Sequence, residues 1–257
     1  MRIDLWDGTI PHSLGSGDEA VPHLDVYLPE PDRATGSAML ILPGGCYTFL
    51  SEKSGVQYGQ WLASEGIVGA VVNFRLGSAG YRYPALLADA WQALAVVRSR
   101  AHEWGVDSDR VGVVGSSAGA HLATMMLTGE PADGNAAPRP AVGVLCYPVV
   151  SMQDPLAHEE TRDNFLGDRA ADEELQARFS AELRIDGQVP PCFIWHSLED
   201  KEVNPANSID FARGLHAAGR SYELHLYQTG PHAIGLARAE GLQWTADCAR
   251  WLHDQEF

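Results

Sequence analysis

The sequence predicts an α/β protein built on a mainly parallel central sheet flanked by helices. Three observations point there. Short apolar runs alternate with longer amphipathic stretches along nearly the whole chain. Several runs, such as 67–74 (IVGAVVNF) and 141–147 (AVGVLCY), are rich in Val, Ile and Leu without polar alternation. Strands covered on both faces read that way. The order strand, helix, strand, helix is that of a parallel sheet, whose strands need crossover connections.

Strands are expected at 23–28, 38–42, 67–74, 110–114, 141–147, 192–196 and 222–227. Helices are expected at 56–64, 84–104, 117–127, 205–218 and 236–253. In the longest, Leu87, Trp91, Leu94, Ala95 and Val97 recur at helical spacing. Asn204-Pro205 reads as an N-cap followed by Pro at the first helical position, and Gly219 as a C-terminal stop. Residues 130–140 (EPADGNAAPRP) read as a surface loop. Residues 149–189 break the alternation: they carry helical segments but no strand pattern, and form a small insertion over the sheet. No internal repeat or linker divides residues 1–257, so one domain is expected.

Composition narrows the classes. The chain has 257 residues, 45% hydrophobic and 20% charged, which is ample for a packed core. Its net charge of −16 argues against nucleic acid, anionic membranes and anionic polymers as partners. No apolar stretch is long enough for a membrane span. The opening MRIDLWDGTI lacks a basic segment followed by an apolar run, so a cytoplasmic protein is expected. Cys46, Cys146, Cys192 and Cys248 show no metal-site spacing, and Cys146 and Cys192 lie in apolar runs, so reduced buried thiols are expected there. The ten histidines form no HExxH pattern, and no GxGxxG follows a strand. Neither a metal nor a nucleotide cofactor is expected.

One motif carries chemistry. Residues 110–119 read RVGVVGSSAG, placing Ser117 in Gly-x-Ser-x-Gly between an apolar strand and the helix HLATMML. That setting is a nucleophile elbow: a strained turn lifts the hydroxyl above the sheet, and small neighbours avoid clashes across it. A serine needs a base. His232, in the loop after the last strand, is the best placed; His225 lies within that strand and His253 in the terminal helix. An acid should orient the base from the preceding strand end, where SLEDKEVNP offers Glu199, Asp200 and Glu202. Asp200 is favoured, with both glutamates as competitors. His196 reads as structural at the strand end, and His121, one turn beyond Ser117, as a packed helix residue. The buried run LILPGGCY ends in Pro43-Gly44-Gly45, whose backbone can approach a substrate; with the N–H of Ala118 it is a candidate oxyanion hole. Tyr47, beside that turn, is a candidate to line an acyl or sugar site.

Together these segments resemble the α/β-hydrolase superfamily, its acetyl esterase and hormone-sensitive-lipase-like branch, and within it the bacterial acetyl xylan and feruloyl esterase-like enzymes. The pieces run nearly end to end: LILPGGCY, Asn73 to Arg75 with Tyr83-Pro84, GSSAGAHLA, TRDNFLG, PPCFIWHSLEDKEVNPANS and GPHAIGLA. The resemblance implies Ser117 as nucleophile, Asp200 as acid, His232 as base, and Gly45, Cys46 and Ala118 as oxyanion donors. Two departures stand out. Cys46 replaces the family's usual third glycine, and Val203-Asn204-Pro205 replaces its Val-Pro. The implied activity is hydrolysis of short-chain acyl esters, such as acetylated sugars or xylo-oligosaccharides, with a homo-oligomer left open. The rival readings are an arylformamidase-like amidase and a catalytically silent hydrolase-fold binding protein.

Overall fold

The computed structural model describes residues 1–132 and 138–257. Part of the loop expected at 130–140 thus lies outside the described residues. Eight strands among the described residues form one sheet. They are β1 (Arg2–Asp4), β2 (His23–Tyr27), β3 (Ala38–Leu42), β4 (Val68–Asn73), β5 (Val111–Ser116), β6 (Gly143–Cys146), β7 (Cys192–Ser197) and β8 (Tyr222–Tyr227). Their spatial order is β1-β2-β4-β3-β5-β6-β7-β8. β2 pairs antiparallel with β1 and β4, and every other neighbouring pair is parallel. The chain leaves β3 for β4 on one side and then passes to β5 on the other. The carboxyl ends of β3 and β5 therefore flank a topological switch point, where open α/β sheets hold their ligands.

The apolar runs are explained by burial on both faces. In β3, Ala38, Leu40 and Leu42 face one core, and Met39 and Ile41 the other. The first core is covered by α2 (Ala85–Arg100), α3 (Ala118–Leu127) and α6 (Ala206–Ala217), through Leu86, Met125 and Phe211 among others. The second is covered by α1 (Val56–Ser64) and α7 (Trp244–Asp254), through Tyr58, Trp61, Trp244 and Trp251. The stretch 149–189 holds α4 (Glu159–Leu166) and α5 (Glu173–Arg178) and no strand, as expected.

Three elements differ from expectation. The edge strand β1 is too short to show a pattern. The helix expected over 236–253 starts only at Trp244, because Gly235, Ala237 and Gly241 adopt left-handed backbone that interrupts a right-handed helix. The stretch after Arg100 tightens into a 3-10 turn, Ala101–Trp104. The predicted start and stop of α6 hold: Asn204 Oδ1 accepts from Ala206 N–H at 3.0 Å, and Gly219 has φ 65°.

A buried ion pair ties the end of β4 to α2. Arg75 Nε and Nη2 each donate to the Asp89 carboxylate at 2.8 Å, and both side chains are fully buried. Trp6 Nε1 donates to the same carboxylate at 3.1 Å. Asp89→Ala strands the guanidinium in the core, and should lower the unfolding free energy by about 3–5 kcal/mol. Urea denaturation reads this directly; a loss below 1 kcal/mol would mean that the guanidinium finds water or another acceptor.

Candidate active site

Loops at the carboxyl ends of four parallel strands build the site. The first is the elbow after β5. Ser117 has φ 53° and ψ −121°, a conformation costly for any residue with a side chain. Hydrogen bonds hold it there: its N–H donates to Cys146 O at 3.0 Å, and its carbonyl accepts from His121 N–H at 3.2 Å. The flanking glycines are sterically required. A Cβ on Gly119 would lie 2.1 Å from Leu42 O, and one on Gly115 would lie 2.6 Å from Ala120 Cα.

The second loop follows β3. A Cβ on Gly44 would sit 2.9 Å from Ser116 O and 3.2 Å from Ser117 Cβ, so this turn presses directly against the elbow. Gly45, Cys46 and Tyr47 have φ of 131°, 53° and 62°. Among the described residues, the N–H groups of Gly45, Cys46 and Ala118 find no backbone acceptor. The insertion braces this loop: Asn164 Nδ2, on α4, donates to Cys46 O at 2.9 Å.

The third component joins the turn after β7 to the loop after β8. His232 Nε2 lies 2.8 Å from Ser117 Oγ, and His232 Nδ1 lies 2.6 Å from Asp200 Oδ2. The structure thus brings Ser117, His232 and Asp200 into one hydrogen-bonded line. Asp200 Oδ1 also accepts from the N–H of Glu202 at 2.9 Å and of Val203 at 3.0 Å. Burial opposes ionisation of this carboxyl, but the bonds from His196 and His232 prevail and hold it well below the usual carboxylate range. Glu199 and Glu202, its sequence competitors, are exposed.

A cavity of about 260 Å³ opens over Ser117, walled by Gly45, Cys46, Phe49, Tyr147, Glu160 and His232 among others. Cys46 carries a thiol that lies beside Glu160 and Thr161. Burial, reinforced by Glu160, pushes that thiol up to about 11, so it stays protonated at neutral pH and does not compete with Ser117 as a nucleophile. Tyr147 packs its ring edge-on to His232 with centroids 4.9 Å apart. Among the described residues no His, Cys, Asp and Glu cluster could hold a metal ion. No helix there is long and apolar enough to cross a membrane.

Two sequence readings change. Tyr47 does not line the cavity. It is buried, and its hydroxyl lies 2.8 Å from both Ala118 O and His121 Nδ1, where it ties the glycine turn to the nucleophile helix. His196 does more than end a strand: its Nε2 lies 3.1 Å from Asp200 Oδ2. His121 is a packed helix residue, as expected; burial pushes it down to about 4, so it is neutral. Cys146 and Cys192 are buried free thiols. Sequence reasoning missed Tyr147, Glu160 and Asn164. Tyr147 had a usable signal, its position just past a parallel strand, and Asn164 lay in TRDNFLG, a segment that carries the resemblance; Glu160 had none, because only the docking of the insertion brings it to the site.

Comparison with known proteins yields close relatives. The model of the BD-FAE family matches residues 24–215. An acetylxylan esterase of Xylanibacter ruminicola is 31% identical over 228 residues, covering 87% of this chain and 46% of that protein. An endo-1,4-beta-xylanase B of Butyrivibrio fibrisolvens is 26% identical over 231 residues, covering 86% of this chain and 36% of that protein. The chain therefore spans less than half the length of these two relatives. Among solved structures, an acetyl ester-xyloside bifunctional hydrolase from Caldicellulosiruptor lactoaceticus superposes with a TM-score of 0.87 at 34% identity, covering 99% of this chain and 96% of that one. A carboxylesterase from Lactobacillus plantarum shares the fold, with a TM-score of 0.77 at 21% identity and coverage of 91% and 92%.

Proposed function

The chain belongs to the BD-FAE family, and we propose that it is a serine carboxylic ester hydrolase that removes short acyl groups, acetyl foremost, from sugars or xylo-oligosaccharides. The observation that carries this reading is the hydrogen-bonded line from Ser117 Oγ through His232 to Asp200 Oδ2, at 2.8 and 2.6 Å. His232 Nε2 takes the serine proton as Oγ attacks the ester carbonyl. The N–H groups of Gly45, Cys46 and Ala118 receive the oxyanion, helped by the N-terminus of α3. His232 then returns the proton to the leaving alcohol, and the acyl group stays on Ser117. Water, deprotonated by His232, attacks that ester and frees the acid. Throughout, Asp200 fixes the imidazole tautomer and stabilises the imidazolium.

Two features support a small acyl group on a larger alcohol. The cavity over Ser117 is small, with Cys46 where the resembled enzymes carry glycine. A second depression, about 630 Å³, shares His232 and Glu202 with it and runs over Leu198, Lys201 and Pro231. It lies beside the group that protonates the leaving alcohol. The names of the acetylxylan esterase and the acetyl ester-xyloside hydrolase agree with this division.

A substrate panel tests the proposal. Among p-nitrophenyl esters, kcat/KM should be highest for acetate and fall with acyl length. Acetate should be released from acetylated xylo-oligosaccharides, and faster from neutral ones than from glucuronic-acid-rich ones, because Glu160 and Glu202 line the site. A preference for feruloyl esters or aryl formamides, with no acetate release from sugars, would replace this reading.

A further inference from the structure

His196 sits at the end of β7, fully buried, four residues before Asp200. Its Nε2 faces two acceptors, Asp200 Oδ2 and Val203 O, each at 3.1 Å. Its Nδ1 lies 2.8 Å from Ser208 Oγ, on α6. A nitrogen between two acceptors must carry the hydrogen, and a hydroxyl can supply the hydrogen for the other nitrogen. The contacts therefore place a hydrogen on Nε2, which donates to the carboxylate, while Nδ1 is bonded to the Ser208 hydroxyl. Asp200 Oδ2 then receives two imidazole N–H bonds, one from His232 and one from His196.

We propose that His196 is a positioning residue of the hydrolytic site: it aims the Asp200 carboxylate at His232 and draws off part of the charge that His232 meets. This rests on the triad reading above. The effect has a definite sign. A second donor on the same oxygen weakens that oxygen's hold on the imidazolium. Removing it leaves more negative charge facing His232, so protonated His232 persists to higher pH and the acid limb of the kcat/KM profile moves upward. The other ionisable groups around this pair are His158 and Glu160 from the insertion, Glu199, Lys201 and Glu202 on the acid turn, and Cys46 and Tyr147 in the cavity wall. The substitutions below leave all of them in place.

The test compares His196→Leu with His196→Gln, whose amide can still donate to Oδ2. The leucine variant should lose about 10- to 100-fold in kcat through misaimed Asp200, and its acid limb should rise by about one pH unit, a tenfold change in proton affinity. The glutamine variant should keep both close to wild type. Rates are normalised to active sites titrated with a fluorophosphonate, so that unfolded protein does not count. A leucine variant with an unmoved limb, or a glutamine variant equally impaired, overturns the proposal. If neither variant folds, nitrogen-15 NMR of histidine-labelled wild type decides: His196 should carry its hydrogen on Nε2, and an Nδ1–H tautomer overturns it. Failure of the triad reading itself looks different, as Ser117→Ala would then retain activity.

Discussion

Ser117→Ala is expected to lower kcat for p-nitrophenyl acetate by at least about 10³-fold, and toward 10⁶-fold if the site works as one unit. The expectation follows from chemistry and not from a change of fold. Alanine fills the elbow with the same backbone and the same Cβ, so the contacts of Gly44 and Gly119 around it persist. What disappears is the oxygen 2.8 Å from His232 Nε2. Without it no acyl-enzyme forms, and the oxyanion donors act only on direct attack by water. A fluorophosphonate should label the wild type on this residue and leave the variant unlabelled. Wild-type turnover by the alanine variant would move the nucleophile elsewhere.

Asp200→Asn should cost about 10⁴-fold in kcat with little change in KM. The amide is nearly isosteric, but it can turn its NH2 toward His232 Nδ1 and so stabilise the tautomer that cannot accept from Ser117. Four donors now converge on this carboxylate: two backbone N–H groups on Oδ1 and two imidazoles on Oδ2. They were arranged for an anion, so the variant also loses stability. Because those donors hold the folded carboxyl below its ordinary range, its stabilisation is fully present above the unfolded value near pH 4 and fades as pH falls through the folded one. The gap in melting temperature between wild type and variant should therefore be constant around pH 7 and narrow below about pH 4. A gap independent of pH down to pH 2 would show that the lost contacts are steric.

The elbow at Ser117 was legible because its constraint is local. A serine between glycines, after one apolar run and before another, leaves little choice of geometry. The structure shows the clash behind each glycine. The place of His232 was legible for a topological reason: a loop after the last strand of a parallel sheet returns to the same edge as the elbow. The carboxylate that meets it was only half legible. Glu199, Asp200 and Glu202 share one turn and one charge, and nothing along the chain separates them. The fold does so by wrapping the 202 and 203 N–H groups around Asp200 Oδ1 and leaving the glutamates outside.

The same distinction explains the misreadings. The run 236–253 has helical composition, but backbone sign at Ala237 and Gly241 is set by how Leu236 and Ala237 pack under α1, which is a tertiary matter. Tyr47 looked like a wall of the site because sequence gives adjacency and not direction; its left-handed backbone turns the ring inward to His121.

By itself, the sequence determined the alternating α/β order, the elbow serine and the glycine turn, because each rests on backbone sterics or burial within a few residues, and the loop histidine, because the strand order it belongs to was readable. The tertiary structure alone decided which carboxylate meets His232, that His196 shares its oxygen, and that α4 brings Glu160 and Asn164 beside the cavity and its loop. Those choices depend on distances between segments far apart in the chain, fixed only when the two faces of the sheet are covered and the strand ends are held side by side.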